Sequence, residues 1–290
     1  MSTEEAPIGE LRARSGRIRA LMRSCHPGPC LVITAMIVLV AVAADLRGAR
    51  LAVFTLGGLT GQLSIGWSND AFDADRDAAA GRRDKPIVAG DIGHRTVSAA
   101  AVVALVACVL LCFWVGPLTG LLNLIMVAAG WAYNAGLKST LASGPMYVIG
   151  FGAIPAFAAS TNKDHPSAQP WTFAAAALLG LGAHFANVLP DLATDRATGV
   201  RGLPQRVAEA YGQMAVRWTA LTLLLTASCV IVIVPGGPRD WLAVVGLSAA
   251  VLLVLVGARA SGRLPFVAAL GVAAIDVTLF ALREVGLYVR

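Results

Sequence analysis

Asn69, Asp73 and Asp77 stand at i, i+4 and i+8 in the run Asn69-Asp-Ala-Phe-Asp73-Ala-Asp-Arg-Asp77. On a helix this spacing stacks three oxygen-bearing side chains on one face, one turn apart. Asp70 borders the same face, while Asp75 points about 200° away from Asp73 at 100° per residue. Like charges at i, i+4 destabilise a helix, so the face calls for a cation. Oxygen donors with no Cys or His indicate a hard ion, Mg2+ or Ca2+. A solvated acidic loop neutralised by Arg76, Arg82, Arg83 and Lys85 would carry the same residues. Asp191 and Asp195 repeat the i, i+4 spacing 118 residues after Asp73. Two such half-sites on one side of the molecule could bracket a diphosphate through shared Mg2+, which neutralises charge developing on a leaving group.

The elements that carry these acids are apolar. Of 290 residues, 57% are hydrophobic and 14% charged, against about 25% charged in a soluble domain, and mean hydropathy is +0.71. This excludes an ordinary water-soluble enzyme and a disordered chain. Eight of the 17 acids fall in two short stretches, 70–91 and 191–195. A membrane-spanning helix needs roughly 20 predominantly apolar residues. Nine candidates occur, at about 29–46, 50–69, 96–115, 117–135, 143–161, 171–190, 213–235, 240–257 and 264–282. Their Ala, Val, Leu and Gly content suits close helix packing, and the alternation of a porin-like barrel is missing. The expectation is an all-α polytopic membrane protein: residues 1–28 at the membrane surface, then one transmembrane domain over 29–290.

Charge placement gives the orientation. Seventeen of the 23 Lys and Arg fall in the N-terminal segment and the connections after spans two, four, six and eight, counting Arg217 with the connection before it. The positive-inside rule then places the N-terminus and both acid clusters in the cytoplasm. The +6 net charge is thus topological and implies no nucleic-acid partner. The Arg-rich first 28 residues, which lack the short apolar core of a signal peptide, suit anionic lipid. A diphosphate head at the cytoplasmic rim, with its remainder in an apolar cavity, describes a polyisoprenyl diphosphate.

At these residues the sequence resembles the UbiA-type superfamily of intramembrane prenyltransferases. The first family signature reads Asn69-Asp70-x-x-Asp73-x-x-x-Asp77. Its basic follow-on reads Gly81-Arg82-Arg83-Asp84-Lys85-Pro86-x-x-x-Gly90, and the second signature matches Asp191, Asp195 and Gly199. Tyr133 and Lys138 stand five apart, where many members have four. The resemblance covers about residues 20 to 282. It implies nine helices around a central cavity, Mg2+ dependence, and prenyl transfer to a lipid-soluble or aromatic acceptor with release of pyrophosphate. By carry-over Asn69, Asp73, Asp191 and Asp195 hold metal, Asp70 and Asp77 support or complete that shell, and Arg82 and Lys138 hold pyrophosphate. Asp73, Asp191 and Asp195 are the acids on which catalysis would depend. The site belongs on the cytoplasmic face, with the cell membrane as the expected location.

Gln62, seven residues before Asn69, is expected to face the same cavity, as is Tyr133. His184 and Asn187 share a stripe with Asp191 and Asp195 at i, i+3, i+7 and i+11. His184 is either a packing histidine or a proton acceptor. Asp276 is an intramembrane acid, functional by default unless it pairs with Arg283 near the outer interface. Cys108 and Cys112 read as small packing residues. Rival activities are a terpene cyclase built on the same ionising site, a CDP-alcohol phosphotransferase, whose D-G-x-x-A-R pattern is missing, and a transporter. A transporter would bind near the bilayer midplane, whereas these acids lie at the rim.

Overall fold

The computed structural model describes residues 8–162, 164, 167–235, 241–260 and 264–282. Within them the chain forms thirteen α-helices and one 3-10 turn at Leu137–Ser139, with no strand among the described residues. The helices are α1 (Ile8–Ser24), α2 (Pro27–Ala43), α3 (Gly48–Ala79), α4 (Pro86–Ala89), α5 (His94–Val115), α6 (Pro117–Asn134), α7 (Ser143–Ala159), α8 (Pro170–Val188), α9 (Leu192–Ala197), α10 (Leu203–Tyr211), α11 (Gln213–Ile233), α12 (Trp241–Arg259) and α13 (Leu264–Leu282). α1, α4, α9 and α10 are short or polar. Each of the other nine overlies one of the nine apolar stretches. By length and apolarity alone, α5, α8, α11 and α12 can cross a membrane. Residues 15–24 of α1 meet α2 at 63°, and that bent pair counts as a fifth candidate.

Punctuation explains the boundaries. Proline opens α2, α4, α6, α8 and α10, where its missing N–H costs no helical hydrogen bond. Gly116 alone, extended at φ 173 and ψ 153, separates α5 from α6. Gly90 follows α4 with φ 79, a left-handed conformation that glycine adopts without steric cost.

Successive long helices pack on one another from α2 to α13, and α13 returns to α2 and closes the bundle. α3 also packs on α6, α2 on α7, and α8 on α13. Phe54 of α3 stacks on Phe157 of α7, centroids 4.2 Å apart, and both are fully buried. The outer surface is apolar too: Val103, Leu110 and Trp114 of α5 and Leu252 and Val256 of α12 are exposed. A face of that extent needs an apolar surrounding.

Several polar groups inside the bundle pair with one another. Asn123 donates to the Sγ atoms of Cys108 and Cys112 at 2.7 and 3.0 Å. Trp131 Nε1 donates to Ser64 Oγ at 2.9 Å.

α3 is the element that sets the site. Its 32 residues extend about 48 Å at 1.5 Å per residue, well beyond a hydrocarbon layer of about 30 Å. The surplus length carries Asn69 through Asp77 out of the apolar part of the bundle. Gly66 lets the α1–α2 corner lie directly against α3: a Cβ there would sit 2.1 Å from the Cys25 carbonyl oxygen. In that corner His26 adopts φ 54, uncommon for any residue but glycine, and Trp67 Nε1 donates to the Leu21 carbonyl at 2.9 Å.

Gly66→Ala should therefore force α3 and the corner apart, costing about 1–3 kcal/mol of overpacking and lowering the thermal midpoint of detergent-solubilised protein. Gly150→Ala on α7, whose added Cβ meets nothing within 4 Å, is the control and should leave the midpoint unchanged or raised.

Candidate active site

Asp70, Asp73 and Asp77 are all buried at the end of α3, whereas Asp75 is exposed. The face expected from the spacing is thus present, and Asn69 and Asp73 on it, like Asp70 beside it, have hydrogen-bond partners of their own.

Asp73 is held from two directions. Its Oδ2 accepts from Arg76 Nη2 at 2.7 Å, and its Oδ1 is in direct contact with Lys138 Nζ. Lys138 lies in the 3-10 turn after α6, 8% exposed. Burial pushes its ammonium below its ordinary pKa, and the facing Asp73 carboxylate works against that shift. Asp77 has its carboxyl pushed up by burial, with Lys85 opposing the shift and Asp73 adding to it.

Asp70 turns away from Asp73, toward the α1–α2 corner. Its Oδ1 accepts from Lys85 Nζ at 2.7 Å and contacts His26 Nε2 at 2.8 Å. Burial opposes ionisation, but these two hydrogen bonds outweigh it and hold the carboxyl below its usual range. Asp70 Oδ2 is buried without a partner. Asn69 donates through Nδ2 to Asn134 Oδ1 at 3.1 Å, and Asn134 in turn donates to the Ile65 carbonyl and Ser68 Oγ.

The second pair does not continue the sixth apolar helix. α8 ends at Val188, a turn over 189–191 containing Pro190 follows, and Asp191 immediately precedes the separate six-residue helix α9. The stripe drawn through His184, Asn187, Asp191 and Asp195 is broken there. Asn187 and Asp191 are exposed, while Asp195 is half-buried and accepts from Gln205 Nε2 at 2.8 Å. Burial raises the Asp195 carboxyl; Gln205, Arg76 and Lys138 act against that, and Asp191 reinforces it.

The two acid groups still converge. Arg76 and Lys138, the partners of Asp73, both lie within Coulombic reach of Asp195. Arg82 lies within reach of both Asp77 and Asp191, although its guanidinium is engaged with Asp84 at 3.0 and 3.1 Å. Among the described residues no three carboxyl, imidazole or thiol groups stand close enough to share one metal ion. The donor chemistry nevertheless suits a hard cation: carboxylate and amide oxygens from two sides, with the unpartnered Asp70 Oδ2 nearby.

An aromatic cluster lies deeper in the bundle. Tyr147 of α7 stacks on His184 of α8 at 4.3 Å, Tyr133 of α6 meets both edge-on at 5.3 and 5.7 Å, and Phe151 stacks on Tyr147. Tyr133 lies within Coulombic reach of Asp73 and Asp195, so the cluster borders the acids. His184 is 1% exposed, its Nε2 is 3.1 Å from Ser143 Oγ, and its Nδ1 has no partner. Gln62 is half-buried on α3, two turns before Asn69.

Three participants escaped the spacing argument: Tyr147, Gln205 and Asn134. Gln205 and Asn134 are single polar residues with no periodic signal. Tyr147 sits in a glycine-rich apolar stretch, where an aromatic residue reads as packing.

A model of the UbiA prenyltransferase family matches residues 30–275. No curated protein sequence matches. The structure of a digeranylgeranylglyceryl phosphate synthase superposes with a TM-score of 0.68 at 13% identity, covering 93% of this chain and 99% of that one. A UbiA homologue from Archaeoglobus fulgidus bound to GPP and Mg2+ gives 0.66 at 12% identity, covering 92% and 99%. The apo structure of a UbiA homologue from Aeropyrum pernix K1 gives 0.69 at 15% identity, covering 87% and 97%. At these identities the likeness is one of fold.

The Asp70 cluster can be tested by stability. Lys85→Met leaves a carboxyl that is 3% exposed without its ammonium and should cost about 3 kcal/mol. His26→Ala removes one hydrogen bond and should cost about 1 kcal/mol. Thermal unfolding in detergent measures both. Equal losses, or the reverse order, would show that Lys85 is not the principal counter-charge.

Proposed function

The chain belongs to the UbiA prenyltransferase family, and from that premise we propose that it transfers a prenyl group from a polyprenyl diphosphate to a lipid-soluble, aromatic acceptor, releasing pyrophosphate with Mg2+ as cofactor. The observation that carries this reading is the order of groups along the bundle. Asp73 with Lys138 and Arg76 adjoins Asp195 and Gln205 at the polar end, and the ring cluster of Tyr133, Tyr147 and His184 lies next. A molecule with a multiply charged head and an apolar body matches that order.

Asn69 through Oδ1, Asp73, Asp77, Asp191 and Asp195 are the residues that would hold metal, with Asp70 supporting them from the corner. Bound Mg2+ would supply neutralisation of the departing diphosphate. The chain's own bases complete the clamp: Lys138, Arg76 and Arg82 donate hydrogen bonds to diphosphate oxygens, which strengthen as the allylic C–O bond breaks. Tyr133 and Tyr147 border the acids, where a ring face would stabilise the allylic cation. His184, fixed by Ser143 and with Nδ1 free, takes the acceptor proton. Gln62 and Asn187 border the substrate.

The nine long helices are read as nine spans, with the N-terminus and the acid clusters in the cytoplasm and the enzyme in the cell membrane. α1 lies on the anionic lipid surface through Arg17, Arg19 and Arg23.

Two experiments test this reading. Asp73→Asn and Asp191→Ala should each lower Mg2+-dependent pyrophosphate release from a prenyl diphosphate by more than about 100-fold while the protein stays folded. Asp191 is exposed, so its loss cannot be assigned to unfolding, and unchanged release in either variant overturns the two-sided site. For topology, Arg83→Cys on the exposed turn before α4 should react with an impermeant maleimide in inverted vesicles and stay unreactive in intact cells. The opposite pattern reverses the orientation.

A further inference from the structure

Asp276 on α13 and Gln205 on α10 each bury a polar side chain that is partnered at one end and not at the other. For Asp276, Ser228 Oγ on α11 donates to Oδ1, and the side chains that share its recess are apolar, among them Met36, Ile154, Leu179 and Phe280. Arg283, the alternative partner suggested by spacing, lies outside the described residues. Gln205 differs because its partner is an acid of the candidate site: Nε2 donates to Asp195 Oδ2 at 2.8 Å, while Oε1 is buried with no partner. A buried amide ordinarily satisfies both its ends. Here the carbonyl end goes unsatisfied, and what the donor end gains is the placement of one carboxylate oxygen.

The amide itself is firmly seated. Gln205 lies in the first turn of α10, and that turn rests on the opposite half of the site. Leu203 N donates to Ser143 Oγ at 2.8 Å. A Cβ on Gly202 would stand 2.4 Å from the Lys138 carbonyl oxygen and 2.8 Å from both Gln205 Oε1 and Ser143 Oγ. The backbone of Asp195 is held as well, its carbonyl accepting from Val200 N at 2.9 Å. Asp195 and Lys138, the partner of Asp73, are therefore set relative to each other through one turn, 202–205. The two acids are steadied by different chemistry. Arg76 and Lys138 bring positive charge to Asp73, whereas an amide turns the Asp195 carboxylate without offsetting its charge.

We infer that Gln205 is a positioning residue of the metal site: by engaging Oδ2 it presents Oδ1 of Asp195 to Mg2+. This rests on the metal-dependent prenyl-transfer reading above. Mg2+ demands near-ideal octahedral geometry and takes only one or two carboxylates, so a carboxylate free to rotate is a poorer ligand than one already turned. Hydrogen bonds from outside the ligand set do this turning, and their loss typically costs 10–100-fold in metal affinity.

The test is the affinity of the purified, detergent-solubilised protein for Mn2+, a paramagnetic stand-in for Mg2+, with free ion read by electron paramagnetic resonance and no substrate added. Gln205→Met, of similar length but without an amide, should weaken Mn2+ binding about 10–100-fold. Its thermal midpoint should stay level or rise, because the unpartnered buried oxygen is removed as well. Saturating Mg2+ should restore most of the pyrophosphate release that this variant loses at low Mg2+. Gln205→Asn, which draws the amide back by one methylene, should weaken Mn2+ binding too, and it decides if Gln205→Met does not fold. Ala210→Ser, on the exposed side of α10, should change neither affinity nor midpoint. Unchanged Mn2+ affinity in the folded variants at position 205 overturns the inference. So does a midpoint that drops together with the affinity in both, which marks a structural role. Wild-type protein that binds no Mn2+ overturns the metal-dependent reading and the positioning role with it.

Discussion

A carboxylate packed into a helix bundle needs a counter-charge at hydrogen-bond distance, because burial alone would drive it to protonate. Asp73 is met by Arg76 and Lys138, and Asp70 by Lys85 and His26. These four groups come from α3 itself, the 3-10 turn after α6, the residue before α4, and the α1–α2 corner. The connections at this end are therefore not free loops. The turn after α6, the residue before α4 and the α1–α2 corner each deliver a base to an acid on α3, and the need for pairing fixes where they run. Removing one side of such a pair leaves an uncompensated charge, so the polar end behaves as one electrostatic unit.

Below that unit the character of the bundle changes in steps. Rings follow charges, aliphatic side chains follow rings, and Asp276 lies buried beyond them. This order depends on small residues at helix crossings. A Cβ on Gly180 would meet Phe151 at 2.5 Å, and one on Gly182 would meet Leu224 at 2.8 Å. The close approach they allow packs α8 tightly against both α7 and α11.

Much of this was legible from spacing. Apolar run length located the nine long helices, and 3.6-residue periodicity placed Asp73 and Asp77 inward and Asp75 outward. Both are local properties, and a helix enforces them. Periodicity erred where the helix stopped: Pro190 separates α8 from α9, so Asp191 and Asp195 do not continue the line that starts at His184 and Asn187. It could not foresee that Asp70 would be drawn to His26, 44 residues away, or that Asp195 would be steadied by Gln205 on another helix. Pairings across the bundle depend on which helices become neighbours, and a single sequence does not encode that in any period. The pairing of Asp276 with Ser228, 48 residues apart, escaped for the same reason.

The length of α3 couples the apolar part of the bundle to the site as a ruler. One unbroken helix runs from Gly48 through the apolar part of the bundle to Asp77, so the position of the carboxylates along the bundle and their rotational setting are fixed by the same residue count. Inserting a single residue between Gly48 and Ser68 would turn Asn69, Asp73 and Asp77 by about 100° about the axis and lift them by about 1.5 Å. Asp73 would then point away from Lys138. Adaptation of this protein to a thicker or thinner membrane therefore cannot proceed through α3 one residue at a time. It must come in near-integral turns, or through tilt of the whole bundle, with the register of the acids left intact.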